Sequence, residues 1–452
     1  MQATALPQAG QSSSIHRIAA ASRLILSVVV MFTLICSPVP VLSQSTGRTF
    51  YVSQSGSDSN PGTQSAPWQT ILKAAANLVA GDTAIIMNGT YTEPEIAFRN
   101  SGTPTQGITI RAQNKWGAVI SSISSCAPNI SVYGSYVIID GLSLVINPAN
   151  VYCTPNSASG TGVRAWRDTG GTNVIVRNLK TDNPSGPSGT IRSHGIKSNQ
   201  HNSLLEDNEL AAGLEIIGND IIVRRNHITG GGQWGNGIVA KGGTTNAQIY
   251  NNVIEGGSTL FANGIVLGGQ TGGITAPECQ NCVAWDNVVI VMPSAYGDAL
   301  AYQGADQSAF FNNVAINRGI GMSQGITVWL NSNNTWKNNI IYGANTPCTQ
   351  SLSGSYTIDY NNFFNCTSTP TQANPITGDP QFVNPQSNWE IKSGSPALGS
   401  GVLVSFTGFA GAVIDVSKDK QGVIRTVPWS LGIYAGSAAT TPPAPPSGLV
   451  VN

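Results

Sequence analysis

One pattern recurs through residues 162–362 and limits what the chain can fold into. A glycine with an apolar residue is followed by a turn, an apolar pair, and an asparagine leading into another apolar stretch. The units read NVIVRNL, SLLEDNEL, DIIVRRNHI, AQIYNNVI, CVAWDNVVI, AFFNNVAI, NTWKNNII and TIDYNNFF. The shared residue is Asn178, Asn208, Asn226, Asn252, Asn287, Asn313, Asn339 and Asn362, at intervals of 30, 18, 26, 35, 26, 26 and 23 residues. Short alternating apolar runs at a repeat of roughly 25 residues describe a solenoid. The density of Gly and Asn and the period of two exclude helical repeats. No leucine spacing persists, and propeller blades need longer units. The pattern predicts an all-β parallel β-helix, each coil stacked about 4.8 Å above the last. At a sharp inward turn, the asparagine amide can bond backbone and the asparagine above it.

Composition agrees. Only 10% of residues are charged and the formal net charge is zero, against about 25% charged in an ordinary soluble domain. That excludes a broad electrostatic case for nucleic acid or an anionic membrane. Residues 1–43 read as a signal peptide: His16, Arg17 and Arg23 precede the apolar run Leu24 to Cys36, and small Ser43 closes the segment. The run is short for a bilayer span of about 20 residues. Export would leave six cysteines, Cys126, Cys153, Cys279, Cys282, Cys348 and Cys366, an even number that favours disulfides between sequence neighbours. The stretch Gln69 to Ala80 places Ile71, Ala75 and Leu78 on one helical face, suited to capping the open first coil. Residues 44–439 form the solenoid domain and 440–452 a Pro-rich tail (PPAPP).

Two stretches carry a family resemblance. Phe50 to Tyr91 (FYVSQSGSDSNPGTQSAPWQTILKAAANLVAGDTAIIMNGTY) resembles the start of secreted pectate-lyase-like proteins, among them polysaccharide lyase family nine. Asp379 to Gly401 (DPQFVNPQSNWEIKSGSPALGSG) and Leu431-Gly432-Ile433-Tyr434 resemble their common ending. The resemblance implies a right-handed parallel β-helix, an extracellular or periplasmic setting and a polysaccharide partner. Its opening is shared by lyases, hydrolases and epimerases. Family-nine lyases resemble one another in a calcium-holding aspartate cluster and a base lysine in a Gly-Phe-Lys-Leu-Gly-Gly-like run. The matching run here is Gly264-Ile265-Val266-Leu267-Gly268-Gly269, with Val266 in the lysine's place, so those site residues do not carry over.

Candidate chemistry follows from strand alternation. Ile196, Leu214, Ile238 and Ala240 face the core, so Lys197, Glu215 and Lys241 face out. Each lies eleven residues before its asparagine, in one column on adjacent coils; aligning by glycine shifts Lys241 two residues along the same face. The same counting puts Trp166 before this trio, and Gly268, Tyr302 and Trp329 after it, with Arg164 two residues from Trp166. The result is a strip with aromatic ends and a Lys–Glu–Lys centre. In β-elimination at a uronic acid, Lys241 or Lys197 would serve as base. Arg224, Arg225 or the other lysine would neutralise the carboxylate, and His194 would donate a proton. Dispersed Asp182, Asp220 and Asp286 are the candidates should calcium serve as neutraliser. A glycoside hydrolase would need two carboxyls, for which Glu215 and Asp298 are the outward pair. A non-catalytic glycan-binding protein needs only the strip, and a bland solvated charge ladder accounts for the same residues. GxSxG at Gly321 to Gly325 and GxGxxG at Gly230 to Gly235 lack the elbow and the helix their chemistry requires. Cys279 and Cys282 lack a second pair of zinc ligands. A monomer is expected.

Overall fold

The computed structural model describes residues 47–124, 127–146, 161–165, 171–182, 194–230, 236–255, 263–269, 271, 277–291, 297–317 and 323–436. Within them the chain winds through three parallel walls. Wall one holds Ile96–Phe98, Ile130–Val132, Thr161–Ala165, His194–Ser198, Leu214–Ile216, Ile238–Ala240, Ile265–Gly268 and Gly297–Gln303. Wall two runs from Thr49–Val52 to Ala309–Phe311, and wall three from Gly89–Glu93 to Asn362–Ser368. The strand Ser323–Lys337 pairs with the last strands of walls one and two. Ile, Val and Leu from each coil stack into one buried core, closed toward the C-terminal end by Tyr302, Phe310 and Trp336.

Asparagines mark the corner between walls two and three. Asn208 Nδ2 donates to Asn226 Oδ1 at 2.8 Å, and the chain continues through Asn252, Asn287, Asn313, Asn339 and Asn361. Each amide also donates to a backbone carbonyl of a neighbouring coil, as Asn287 does to Ile249 O at 2.8 Å. The amides of the ladder are thereby satisfied, as burial demands. Two expected members shift by one residue. Asn178 takes the left-handed backbone position before the ladder, leaving Leu179 beneath Asn208. At the other end Asn361, rather than Asn362, accepts from Asn339, and Gln372 caps the row.

Glycine marks the opposite corner, where wall three turns into wall one. A Cβ at Gly237 would lie 2.4 Å from Ile254 Cγ2, and one at Gly264 would lie 2.1 Å from Val289 Cγ1. Core side chains of wall three fill the space that any larger residue would need. The helix α1 (Ile71–Asn77) covers the first coils, shorter than the periodicity suggests. Glu93 accepts from Ile71 N and Leu72 N, and Thr70 caps Lys73 N. Of the expected disulfides, Cys279–Cys282 and Cys348–Cys366 form. Cys126 and Cys153 lie outside the described residues, as do the leader segment and the Pro-rich tail. No helix among the described residues is long and apolar enough to cross a membrane.

The C-terminal segment covers two of the three walls. Val404, Phe406, Ile414, Val416 and Trp429 cover the outer side of wall two over Val283, Trp285, Ala309 and Phe311. Phe382, Ala397, Leu431 and Ile433 cover the outer side of wall three over Val288, Ile290, Val314, Ile316 and Ile340. The small outer cluster of wall one, Val239, Val266 and Ala301, includes no residue of this segment.

Candidate functional site

Backbone register builds the site. Parallel pairing on wall one places Ser131, Arg164, Lys197, Glu215, Val239, Val266 and Ala301 in one outward column. Lys241 follows its strand by one residue, its N–H donating to Ile216 O, two positions along from Val239 and on the same face. Glu215 is the hub. Its side chain is almost fully buried, with Lys197 Nζ 2.5 Å from Oε1, Lys241 Nζ 3.0 Å from Oε2 and His194 Nε2 3.4 Å from Oε2. His194 opens the strand that carries Lys197, at the glycine corner, and is itself buried.

The electrostatics follow from this packing. Burial opposes ionisation of Glu215, but His194, Lys197 and Lys241 together hold its carboxyl well below the usual carboxylate range. Burial pulls the Lys197 ammonium down. Glu215 pushes it back up, and Arg164 and Lys241 pull it down further, leaving it lowered. Two lysines share the one Glu215 carboxylate, so the cluster is cationic on balance. A buried ion pair adds little net stability, and a perturbed, crowded cluster on the outer side of wall one is a stronger marker of function.

Several expected residues fall elsewhere. Tyr302 faces the core, fully buried, its hydroxyl donating to Thr335 O at 2.7 Å. The corner after wall one varies in length. Ala301, the outward residue of that coil, stands twelve residues before Asn313 rather than eleven, and this odd shift turns Tyr302 inward. In the coil of Lys241, Val239 stands thirteen before Asn252, an even shift that keeps Lys241 outward. Arg225 belongs to the corner between walls two and three, in the left-handed conformation, paired with Asp207 and Glu206; Arg224 joins it on wall two, bonded to Glu206 and Tyr250. Neither arginine is on the wall of the cluster. Asp298 sits at the start of its strand, bonded through its N–H to Asn263. Its coil is three above that of Glu215, a separation of about 14 Å along the axis, too far for the paired carboxyls of a glycosidase at about 5–9.5 Å. The backbone of Trp329 is in register with Gln303, in the row of Lys241. Trp166 lies outside the described residues. The three aspartates considered for calcium are dispersed. Asp182 lies beside Lys180 on wall three, Asp220 accepts from Asn246, and Asp286 is buried against Arg425. They do not fit one ion.

Sequence reasoning missed three contributors. Glu278 accepts from Gly242 N at 2.7 Å and Thr271 N at 2.6 Å, fixing the backbone just after Lys241. Its only sequence signal is that it precedes the Cys279–Cys282 bridge. A Cβ on Gly269 would lie 2.9 Å from Lys241 Cδ, so the lysine stem occupies the space that this glycine leaves. Arg99 stacks on Tyr133 at 4.4 Å, in the same row as Lys241 but on the first coils. Those coils precede the asparagine ladder, so there was nothing to count from.

Fold and register define the class, a right-handed parallel β-helix. Residues 50–210 match the family described as Pel9A-like, right handed beta helix region. An 81-residue stretch is 38% identical to the uncharacterized protein YwoF of Bacillus subtilis (strain 168), covering 18% of this chain and 17% of that protein. The chain thus matches about one sixth of the length of this curated relative. Among solved structures, XylC in complex with xylose aligns with a TM-score of 0.54 at 12% identity, covering 86% of this chain and 98% of that one. The GH136 lacto-N-biosidase from Eubacterium ramulus aligns with a TM-score of 0.50 at 15% identity, covering 70% and 67%. At these identities the likeness is one of fold.

Proposed function

We propose that the protein is an exported polysaccharide lyase that cleaves a uronic-acid-containing glycan by β-elimination. The observation that carries this reading is the buried Glu215 gripping Lys197, Lys241 and His194 on the outer side of wall one, with Arg164 next to Lys197. Surplus cationic charge suits an acidic sugar. The separation of Glu215 and Asp298 by three coils argues against those two as a glycosidase pair. The two disulfides support an oxidising compartment.

Each group has a role in that chemistry. Arg164 and Lys241 neutralise the uronate carboxylate, which makes the neighbouring C5 proton acidic. Lys197, with its lowered affinity for protons, serves as the base; as the free amine it takes the C5 proton and becomes an ammonium. The electron pair forms the C4–C5 double bond and the C4–O bond breaks. The departing oxygen takes a proton, for which His194 is the placed donor, and solvent restores both groups. Glu215 touches no reacting atom; it is a positioning residue that aligns both lysines and the histidine.

The test is to incubate the mature protein with acidic and neutral polysaccharides, with and without calcium, while following ultraviolet absorbance and reducing ends together. New absorbance from the unsaturated uronate supports elimination. Reducing ends without absorbance contradict it in favour of hydrolysis, and retained binding with neither signal contradicts it in favour of a binding module.

A further inference from the structure

A second site lies on wall three, away from the acid–base cluster. The hairpin Phe382–Asn384 with Asn388–Ile391 packs against the outer side of that wall and leaves an open crevice of about 180 Å³ beside Tyr342. Tyr342, Phe382 and Pro385 make it apolar, and Asp379, Gln381 and Lys392 supply a carboxylate, an amide and an ammonium. The Tyr342 ring stands 5.9 Å from that of Phe382 and 5.2 Å from that of Phe364, which fixes its orientation. One Asp379 oxygen accepts from Gln381 N, leaving lone pairs for a ligand. Burial, and then Asp379, push the Tyr342 phenol up, so it stays protonated and able to donate.

An apolar floor with a few convergent polar groups is the form of a small-ligand site. The volume is below the range of about 300–1,000 Å³ typical for drug-sized ligands and suits a single sugar ring. The C–H face of such a ring packs on an aromatic side chain while its hydroxyls meet paired donors and acceptors. One carboxylate balanced by one ammonium favours a neutral sugar over a uronate. We propose that this crevice binds one neutral sugar unit, a branch or chain end, and so anchors a polysaccharide on a wall other than the one that carries the chemistry. The two sites are four coils apart along the axis, about 19 Å, which suits holding one long molecule at two points.

The inference does not depend on the elimination reading, and one experiment keeps them apart. Neutral monosaccharides are titrated into the intact protein and followed by ligand-observed NMR, beside Tyr342→Ala, Asp379→Asn and Lys197→Met. The expected result is saturable binding of at least one neutral sugar, weakened tenfold or more in the first two variants and unchanged in Lys197→Met. All three variants should still melt cooperatively, the two wall-three variants at the parent's temperature and Lys197→Met below it because buried Glu215 loses a partner. Absence of binding by any neutral sugar, or binding that survives both wall-three substitutions, overturns the proposal whatever the protein does to acidic glycans.

Discussion

At the scale of single residues, Glu215 carries the most consequence. Because it pushes the Lys197 ammonium up, replacing it with glutamine removes that support and lowers the lysine further. A base must be neutral to act, so the limb of kcat/KM that rises with pH should move toward lower pH in Glu215→Gln, with kcat itself reduced about 10- to 100-fold by lost alignment. A limb at the parent's position would separate Glu215 from the base. Glu215 also has a stability signature. Its folded affinity for protons is depressed, so its contribution is full above the unfolded value of about 4.3 and is lost as pH falls through the lower folded value. Gly269→Ala tests the seat of Lys241. The added methyl should displace the lysine stem and raise KM for an acidic glycan several-fold, with little change in melting; unchanged kinetics would mean that Lys241 does not hold substrate. Lys197 and Glu215 were placed on one face by alternation, because strand parity is robust to everything except a change in corner length; His194, which shares the parity of core-facing Ile196, was not. Tyr302 shows that exception, since one extra residue reversed its direction.

At the scale of elements, the asparagine ladder and the C-terminal segment do the structural work. Asn287 donates to Asn313 and Ile249 and accepts from both nitrogens of Asn252. Asn287→Ala should leave several buried partners unpaired and cost about 2–4 kcal/mol, measured by denaturant unfolding; a loss under about 0.5 kcal/mol would show that water replaces the amide. The ladder was readable because asparagine recurs. The covering segment was not, because its contacts join residues more than a hundred positions apart, as with Arg425 and Asp286 at 2.6 Å. Both side chains are buried, and desolvation raises the Asp286 carboxyl to about 7 despite the arginine. Arg425→Met removes its partner and raises it further, so ionising Asp286 becomes costlier. The variant's stability relative to the parent should therefore fall more at about pH 8, where Asp286 must ionise, than at about pH 5, where it stays protonated. Equal losses at both pH values would place Asp286 outside the balance.

At the scale of the whole molecule, residues 376–434 cover the outer sides of walls two and three, while the outer cluster of wall one, itself buried, includes no residue of that segment. The solenoid was legible through its repeat, its two corners and its scarcity of charge. Which of three similar walls residues 376–434 would cover was not, since that segment has no repeat of its own. The central claim is that the outer cluster of wall one removes a proton from an acidic glycan, and that Lys197 does it. The most direct measurement is the rate of unsaturated product formation by Lys197→Met, on a glycan the parent eliminates, beside the melting curves of both proteins. The account predicts a fall of about 10²–10⁴-fold in a protein that still melts cooperatively, at a lower temperature because buried Glu215 loses a partner; parental turnover in a folded Lys197→Met protein would contradict it.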